Sequence, residues 1–298
     1  MDRLGVLLMA HGTPGSLDEM AAYLRVVRGG RQPSDELVAE MRHNYAAIGG
    51  RSPLTDVTRE QGRALQSLLD ERRIAALVVV GMRNWHPFIA DVVRTLIDAQ
   101  VTRVLGIPLA PQYSSLSVQK YLASARDALP LAIRFSSIES FHDHPLLIQA
   151  FTERLREAAP RPGEEIVFTA HSLPTRVIEE GDPYDDEVAR TADLVATACG
   201  VTCYQRAWQS AGRTPEPWLG PDLSDLIRDR AAAGATALLV VPIGFVCDHT
   251  EILFDIDVQA AATAAELGIA LRRTASLNTS PTFIRALADL VERELAFS

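Results

Sequence analysis

Short stretches rich in apolar, β-branched or aromatic residues alternate with segments of helical spacing along the chain. Stretches of this kind are typical of strands buried in a parallel sheet. They lie at 6–10, 74–80, 103–108, 133–138, 166–171, 204–208 and 237–241. Between them, apolar residues recur every three or four positions, which predicts helices at 18–27, 35–47, 55–71, 88–99, 145–157, 185–199, 223–233 and 282–296. Alternating strands and helices predict an α/β fold with parallel sheets.

Two of the predicted strands end in the same pattern. An Ala-His pair closes each of them, with His11 in the first and His171 in the second, and Pro14 and Pro174 follow after the same interval. Proline has no N–H to give to a central strand, so each histidine should stand where its strand stops. Open α/β sheets bind their ligands beyond the carboxyl ends of the strands. Both histidines are therefore candidate site residues.

A second pair of similar strand ends, around Pro108 and Pro242, follows in the same order. Two repeats in one order predict two similar doubly wound lobes, each a parallel sheet flanked by helices. We place the lobes at 1–125 and 126–298, with the active cleft between them, and expect the last helix to pack across lobes.

Composition narrows the classes of function. The 298 residues are 47% hydrophobic and 22% charged, with a net charge of −9, so the chain has no overall electrostatic reason to bind nucleic acid. No apolar stretch approaches the ~20 residues of a membrane span, and no signal-peptide pattern opens the chain. These features predict a cytoplasmic protein. Cys199, Cys203 and Cys247 favour free structural thiols over a metal site.

Carboxylates are concentrated in one segment that follows a predicted strand. Asp248, Glu251, Asp255 and Asp257 are spaced to align on one face of a helix. The segment is either a solvated helix face or a group with raised pKa values, suited to handling protons or hydrated cations. Nearby, two tryptophans in Gly/Pro-containing loops predict either a wall for a flat ligand or a packed Ω-loop.

Taken together, these segments resemble the signature blocks of the ferrochelatase family, in order, in spacing and nearly from end to end. The matching blocks are Ile-Gly-Gly-x-Ser-Pro-Leu at 48–54, Ala-Pro-Gln-Tyr-Ser at 110–114, Ala-His-Ser-Leu-Pro at 170–174, Gly-Asp-Pro-Tyr at 181–184, Trp-Gln-Ser at 208–210, Pro-Trp-Leu-Gly-Pro at 217–221, Pro-Ile-Gly-Phe at 242–245 and Asp-His-x-Glu-x-Leu-x-Asp-x-Asp at 248–257. The resemblance implies the two-lobed chelatase fold, in agreement with the pattern of strands and helices.

The resemblance implies insertion of Fe(II) into a porphyrin with release of two protons, as a step of haem biosynthesis. His171 and Glu251 would be the catalytic pair and the metal ligands, since imidazole and carboxylate suit Fe(II). Asp255 and Asp257 would continue an acidic path for iron or protons. Iron is then a substrate, and no iron–sulfur cluster is expected because no cysteine follows Cys247.

The compact bacterial coproporphyrin III type is the nearest likeness. The segment 15–30 carries charges, not the apolar lip of membrane-bound forms. The residues that the likeness assigns to the ring and its propionates are His11, Arg28, Asn44, Tyr45, Ser52 and Tyr121. This chain departs from that type at Gly29 and Asn44, where the type is often basic, and at His11, where it usually has tyrosine. Arg31 or Arg83 would supply the missing charge.

We expect His11 to face the ring opposite His171 and to ligate the iron of the product. The alternatives are a protoporphyrin IX ferrochelatase, a non-enzymatic haem or porphyrin carrier, a cobalt or nickel chelatase for another tetrapyrrole, and a two-lobed small-molecule binding protein. The likeness further implies a monomer that makes transient contact with the next enzyme of the haem pathway.

Overall fold

The computed structural model describes residues 3–212 and 214–296. It contains two four-stranded parallel sheets. The first sheet consists of β1 (Leu4–Ala10), β2 (Ala76–Met82), β3 (Arg103–Pro108) and β4 (Arg134–Ser137), in the order β2-β1-β3-β4. The second consists of β5 (Glu165–His171), β6 (Gln205–Gln209), β7 (Ala237–Val241) and β8 (Ala270–Arg273), in the order β6-β5-β7-β8. The two sheets have the same topology, which confirms the predicted pair of similar α/β lobes.

Helices surround the sheets as the periodicity predicts. They are α1 (Met20–Val27), α2 (Asp35–Ala47), α3 (Leu54–Glu71), α4 (Ile89–Asp98), α5 (Val118–Ala128), α6 (Pro145–Glu157), α7 (Thr175–Glu179), α8 (Tyr184–Cys199), α9 (Leu223–Ala232), α10 (Thr250–Leu253), α11 (Ala261–Glu266) and α12 (Pro281–Ala296). Ser34 caps α2, and its hydroxyl accepts a hydrogen bond from the Leu37 amide at 3.3 Å. Among the described residues, no helix has the length and apolar character needed to cross a membrane.

The strand β8 was not predicted. It is short, and two of its residues are the arginines Arg272 and Arg273, so it has no apolar run to recognise. Its pairing with β7 from Ala237↔Ala270 to Val240↔Arg273 is what makes it a strand. The helices α5, α7 and α11 were likewise not predicted; α7 and α11 are only five and six residues long.

The chain forms two compact units whose limits differ from the predicted lobes. One unit holds the chain up to Ala110, Ser115–Phe141 and the chain from Asn278 onward; the other holds Pro111–Ser114 and His142–Leu277. The predicted boundary at 125 would cut the continuous helix α5 and separate β4 from β3, with which it pairs. The last helix, α12, packs on α3 and belongs to the first unit although it follows the second sheet in sequence.

Central strands are buried in both units. Every residue of β1 is buried, with Val6, Leu7, Leu8 and Met9 at 0% exposure. In the second unit, β5 and β7 share a core with α9, the π-helical turn Asp255–Ala260 and α11. These strands are buried on both faces, as their apolar runs predict. Their burial fixes the positions of the strand ends.

Candidate active site

His171 is the last residue of β5, a central strand of the second sheet. Its Nδ1 lies 2.5 Å from the carbonyl oxygen of Ser172. A carbonyl can only accept, so Nδ1 carries the proton in the neutral ring. Nε2 is then left with a lone pair, which can bind a metal ion or take up a proton.

Glu251, in the short helix α10, lies between two imidazoles. Its Oε1 is 3.8 Å from Nε2 of His171, and its Oε2 is 3.7 Å from Nε2 of His249. His249 also directs Nδ1 to a backbone carbonyl, that of Cys247, at 3.0 Å. Both histidines therefore present Nε2 to the same carboxylate. His171 and Glu251 are 34% and 35% exposed, which leaves them accessible to a ligand.

Asp255 extends this group. It accepts a hydrogen bond from Ser210 Oγ, just beyond β6. Burial, and then the charge of Glu251, raise the pKa of Asp255 to about 7 although the Ser210 hydrogen bond and the two histidines oppose the shift. Asp255 can therefore exchange a proton near neutral pH. Ser210 has φ +60, an uncommon conformation for a residue with a side chain, of the kind that collects at functional sites.

Close backbone packing holds these strand ends together. A Cβ on Gly244, after β7, would lie 2.6 Å from Ala170 Cβ and 2.8 Å from Ala170 Cα, so only glycine fits there. Ser172 donates its amide to Gln209 at 2.8 Å, and Gln209 Nε2 donates to the Glu251 carbonyl at 2.5 Å. The loops after β5, β6 and β7 are thus joined at His171.

The four acids do not share one face, contrary to the sequence prediction. Glu251 and Asp255 lie near His171, but Asp248 and Asp257 bind the guanidinium of Arg273. Two features explain this: Asp248 precedes α10, which begins at Thr250, and the helical pitch changes after Leu253, where a π-helical turn follows. Gln259 donates to the Phe254 carbonyl five residues back at 2.9 Å. The sequence prediction assumed a regular α-helix throughout.

The two tryptophans pack internally. Trp208 is buried at 3% exposure, with its ring centroid 5.9 Å from that of Tyr184. Trp218 lies against Gly212, where a Cβ would come within 2.5 Å of the indole, and it donates Nε1 to Thr214 Oγ1 at 3.1 Å. These contacts agree with the packed-loop interpretation. Burial, and then the charge of Glu251, raise the pKa of the Tyr184 hydroxyl, so this phenol stays neutral beside the site.

His11 lies at the end of β1 in the first unit, with polar partners at its ring. Nε2 is 3.1 Å from the Tyr23 hydroxyl, and the Asn84 amide nitrogen is 3.2 Å from each ring nitrogen. Asn84 also donates its backbone amide to the His11 carbonyl at 2.8 Å. Trp85 packs edge-on against Tyr23, with centroids 5.8 Å apart. The ring of His11 is thus held in orientation.

The other predicted porphyrin contacts differ in exposure. Arg28 is exposed beyond α1, and Asn44 is half-buried on α2. Tyr45 is buried against the cluster that contains Tyr23. Ser52 is buried and accepts from the Leu54 amide at 3.4 Å, and Tyr121 is buried in α5. The structure brings His171, Glu251 and Asp255 together in one unit; the remaining predicted residues, apart from Asp248 and Asp257, lie in the other.

The sequence did not predict His249, Ser210, Tyr23 or Asn84 as site residues. Asn84 follows β2 just as His11 follows β1, so its place at a strand end was a usable signal. His249 stood inside a recognised block. Tyr23 lies on the buried face of a helix, where sequence alone gives no functional signal.

Among residues 3–212 and 214–296, no cluster of three or more His, Cys, Asp and Glu side chains has the arrangement needed to hold a metal ion. The pair His171–Glu251 offers two donors and no closed cage. Structural metal sites usually provide four protein ligands. The pair is therefore short of the ligand set of a structural metal site.

Comparisons with known proteins agree with this geometry. The family model for ferrochelatase matches residues 3–295. A ferrochelatase of Deinococcus radiodurans is 45% identical over 98% of this chain and 96% of its own length. A coproporphyrin III ferrochelatase of Bacillus subtilis is 36% identical over 98% of each chain. SirB from Bacillus subtilis, solved with Fe3+, shares the fold with a TM-score of 0.58 at 12% identity, covering 97% of this chain and 94% of that chain. This chain therefore belongs to the ferrochelatase family and is a ferrochelatase.

Proposed function

We propose that this ferrochelatase inserts Fe(II) into coproporphyrin III to give coprohaem. The observation that carries the proposal is a basic, acid-free stretch from Met20 to Ser34, in which Arg25, Arg28 and Arg31 are exposed in a chain of net charge −9. Coproporphyrin has four propionates and benefits from such cations, because guanidinium binds carboxylate well. Several relatives carry the name coproporphyrin III ferrochelatase, which agrees with this preference.

In the proposed reaction, His171 and Glu251 act at the centre of the macrocycle. Nε2 of His171 carries the free lone pair and either accepts a pyrrole proton or ligates the incoming iron. Glu251 is the partner ligand or proton acceptor. Metal insertion releases two pyrrole protons, and Asp255, with a pKa of about 7, is suited to pass one of them toward solvent.

The sequence predicted Asp257 as part of the acidic path, and we propose a structural role for it instead. Both of its carboxylate oxygens are bound by Arg273, at 2.7 and 2.9 Å. A carboxylate occupied in this way is a poor ligand for a passing cation. The proposed acidic path therefore consists of Glu251 and Asp255, and Asp257 serves to hold the segment.

We also propose that His11 ligates the iron of the product. Tyr23 and Asn84 orient its ring, and neutral imidazole is a good iron ligand near pH 7. His11→Ala should shift the absorption spectrum of the product complex and speed product release, and His11→Tyr should give a phenolate-like spectrum instead. An unchanged product spectrum in His11→Ala would remove the ligand role.

Anaerobic incubation with Fe(II) and either coproporphyrin III or protoporphyrin IX, followed by absorbance, tests the substrate. We expect the higher kcat/KM with coproporphyrin III. Arg28→Ala should raise KM for coproporphyrin more than it lowers kcat, because it removes binding common to the ground and transition states. Arg63, 70% exposed on α3, is the matched control, and Arg63→Ala should leave both constants unchanged.

A higher kcat/KM for protoporphyrin IX in detergent would assign the enzyme to the protohaem branch instead. The proposal also places a monomer in the cytoplasm, in transient contact with the next haem-pathway enzyme. Size-exclusion chromatography at micromolar concentration checks the monomer.

A further inference from the structure

Arg273, at the end of β8, binds an aspartate at each end of the acidic segment, which runs from Asp248 to Asp257. Its Nε and Nη2 donate to the two oxygens of Asp257 at 2.7 and 2.9 Å, and Nη2 lies 3.2 Å from Asp248 Oδ1. Nη1 donates to the Thr274 carbonyl at 3.0 Å. The side chain is only 15% exposed, so these contacts are largely shielded from water.

The two aspartates bracket the residues of the candidate site. Asp248 precedes His249 and Glu251, and Asp257 follows Asp255 within the π-helical turn. Asp248 is held a second time by Ser276, whose hydroxyl donates to Oδ1 at 2.7 Å. The segment is therefore tied at both ends to β8 and the chain just after it.

We propose that Arg273 is a positioning residue for metal insertion: its guanidinium ties Asp248 and Asp257 to β8, and so fixes the segment with Glu251 and Asp255 turned toward His171. This inference rests on the proposed roles of His171 and Glu251, and it assigns a task to a residue that does not touch the reacting atoms.

Charge and geometry both require this residue type. Four carboxylates in one short segment repel one another, and a partly buried cation between two of them offsets that repulsion. A guanidinium also has a planar fork that fits a carboxylate through two parallel bonds, whereas an ammonium is a single point of charge. Lysine at 273 should therefore restore the charge and only part of the geometry.

A merely structural ion pair is the competing explanation, and the neighbouring residue supplies the control. Arg272 is in the same strand and donates to both oxygens of Glu164, at 2.6 and 2.5 Å. Successive residues of a strand point to opposite faces, and Glu164 lies just before β5, at the amino end of the strand that ends in His171. Loss of Arg272 should lower stability without disturbing the acidic segment.

The test compares Arg273→Met, Arg273→Lys and Arg272→Met in the full-length enzyme by steady-state kinetics, thermal unfolding and hydrogen–deuterium exchange. We expect Arg273→Met to lower kcat about 10-fold or more with KM for the porphyrin unchanged, since the guanidinium binds Asp248, Asp257 and the Thr274 carbonyl. Arg273→Lys should recover part of the rate. Arg272→Met should lower Tm but keep kcat within about twofold of wild type.

Exchange in peptides covering 248–257 provides a readout apart from activity. It should speed up in Arg273→Met and stay as in wild type in Arg272→Met. Wild-type kcat in a folded Arg273→Met protein, or an equal loss of kcat in Arg272→Met, would overturn the positioning role. If the wild-type enzyme inserts iron into neither porphyrin, the proposed function fails. Independently of activity, unchanged exchange at 248–257 in Arg273→Met would show that Arg273 does not hold this segment against β8.

Discussion

At the scale of single residues, tautomer and proximity define the site. Carbonyl acceptors fix Nδ1–H in both His171 and His249, so each ring offers Nε2 to Glu251. A carboxylate flanked by two imidazole lone pairs can accept a metal ion or a proton. The exposed fractions of about one third keep this group within reach of a substrate.

Replacing either member of the central pair should stop most turnover. We expect His171→Ala and Glu251→Gln each to lower kcat by roughly 100-fold or more, the scale of a lost acid–base group. Circular dichroism and Tm should stay near wild type because neither side chain is in the core. His43→Ala, at an exposed position on α2, is the matched control. A folded variant of either residue with the wild-type rate would remove that residue from the catalytic pair.

Asp255 should make stability depend on pH in a predictable direction. Its folded pKa of about 7 is above the ordinary value of 3.8, so the folded state binds the proton more tightly than the unfolded chain does. Its contribution to stability is present in full below pH ~4 and is lost as pH rises to about 7. Asp255→Asn removes this dependence. The free energy of unfolding of the variant, relative to that of the wild type, should therefore be higher at pH 8 than at pH 5. Urea unfolding at both pH values measures the difference, and an equal difference at both would contradict the raised pKa.

At the scale of elements, strand ends and the turns that follow them build the site. β5 supplies His171, the turn after β6 supplies Ser210, and the segment after β7 supplies Glu251 and Asp255. The change from α10 to a π-helical turn gives Asp255 and Asp257 different partners, and Asp248 lies before α10. Such turns are rare and frequently occur at functional sites.

Gly244 gives a test of this close packing. Gly244→Ala places a Cβ within 2.8 Å of the Ala170 backbone, so the strand end or the loop must move. We expect a loss of about 1–3 kcal/mol in unfolding free energy, the usual effect of overpacking, together with a lower kcat. Gly15→Ala is the control, because its nearest contact would be 3.4 Å away, at the flexible end of the Glu19 side chain. Wild-type stability and rate in Gly244→Ala would show that the close approach is unimportant.

At the scale of the whole molecule, each compact unit combines segments that are far apart in the sequence. The last helix, α12, joins the first unit and packs on α3, while the segment Pro111–Ser114 joins the second. In the second unit, Gln112 donates to Thr191 Oγ1 at 3.1 Å and to the Ile243 carbonyl at 3.2 Å. The amino- and carboxyl-terminal parts of the chain thus belong to the same compact unit.

A core substitution should therefore destabilise the strands of its own unit more than strands that are close to it in sequence but belong to the other unit. Leu287 is fully buried in α12, and Leu287→Ala should cost about 2–5 kcal/mol. Hydrogen exchange should then speed up in β1 to β3 more than in β5 to β7. Leu226→Ala on α9, buried in the second core, should show the opposite pattern. The reverse distribution for Leu287→Ala would contradict the assignment of α12 to the first unit.

Local patterns in the sequence predicted the alternation of strands and helices, the pair of similar lobes, and the places of His11 and His171 at strand ends, but not β8, α5, α7 or α11. These follow from local causes, namely apolar runs, helical spacing and proline at the strand end. The grouping of His171 with Glu251 also came from sequence, through its matching blocks. Arg28, Asn44, Tyr45, Ser52 and Tyr121 stay predictions as porphyrin contacts.

Features that depend on distant partners are fixed only in the folded chain. β8 exists because it pairs with β7, and the unit limits follow contacts that no local pattern reveals. The pKa of Asp255 is raised by burial and by Glu251, and Asp257 is bound by Arg273, which lies on another strand. A sequence gives the spacing of charged groups along a helix, but their partners and their burial are fixed only when separate segments pack together.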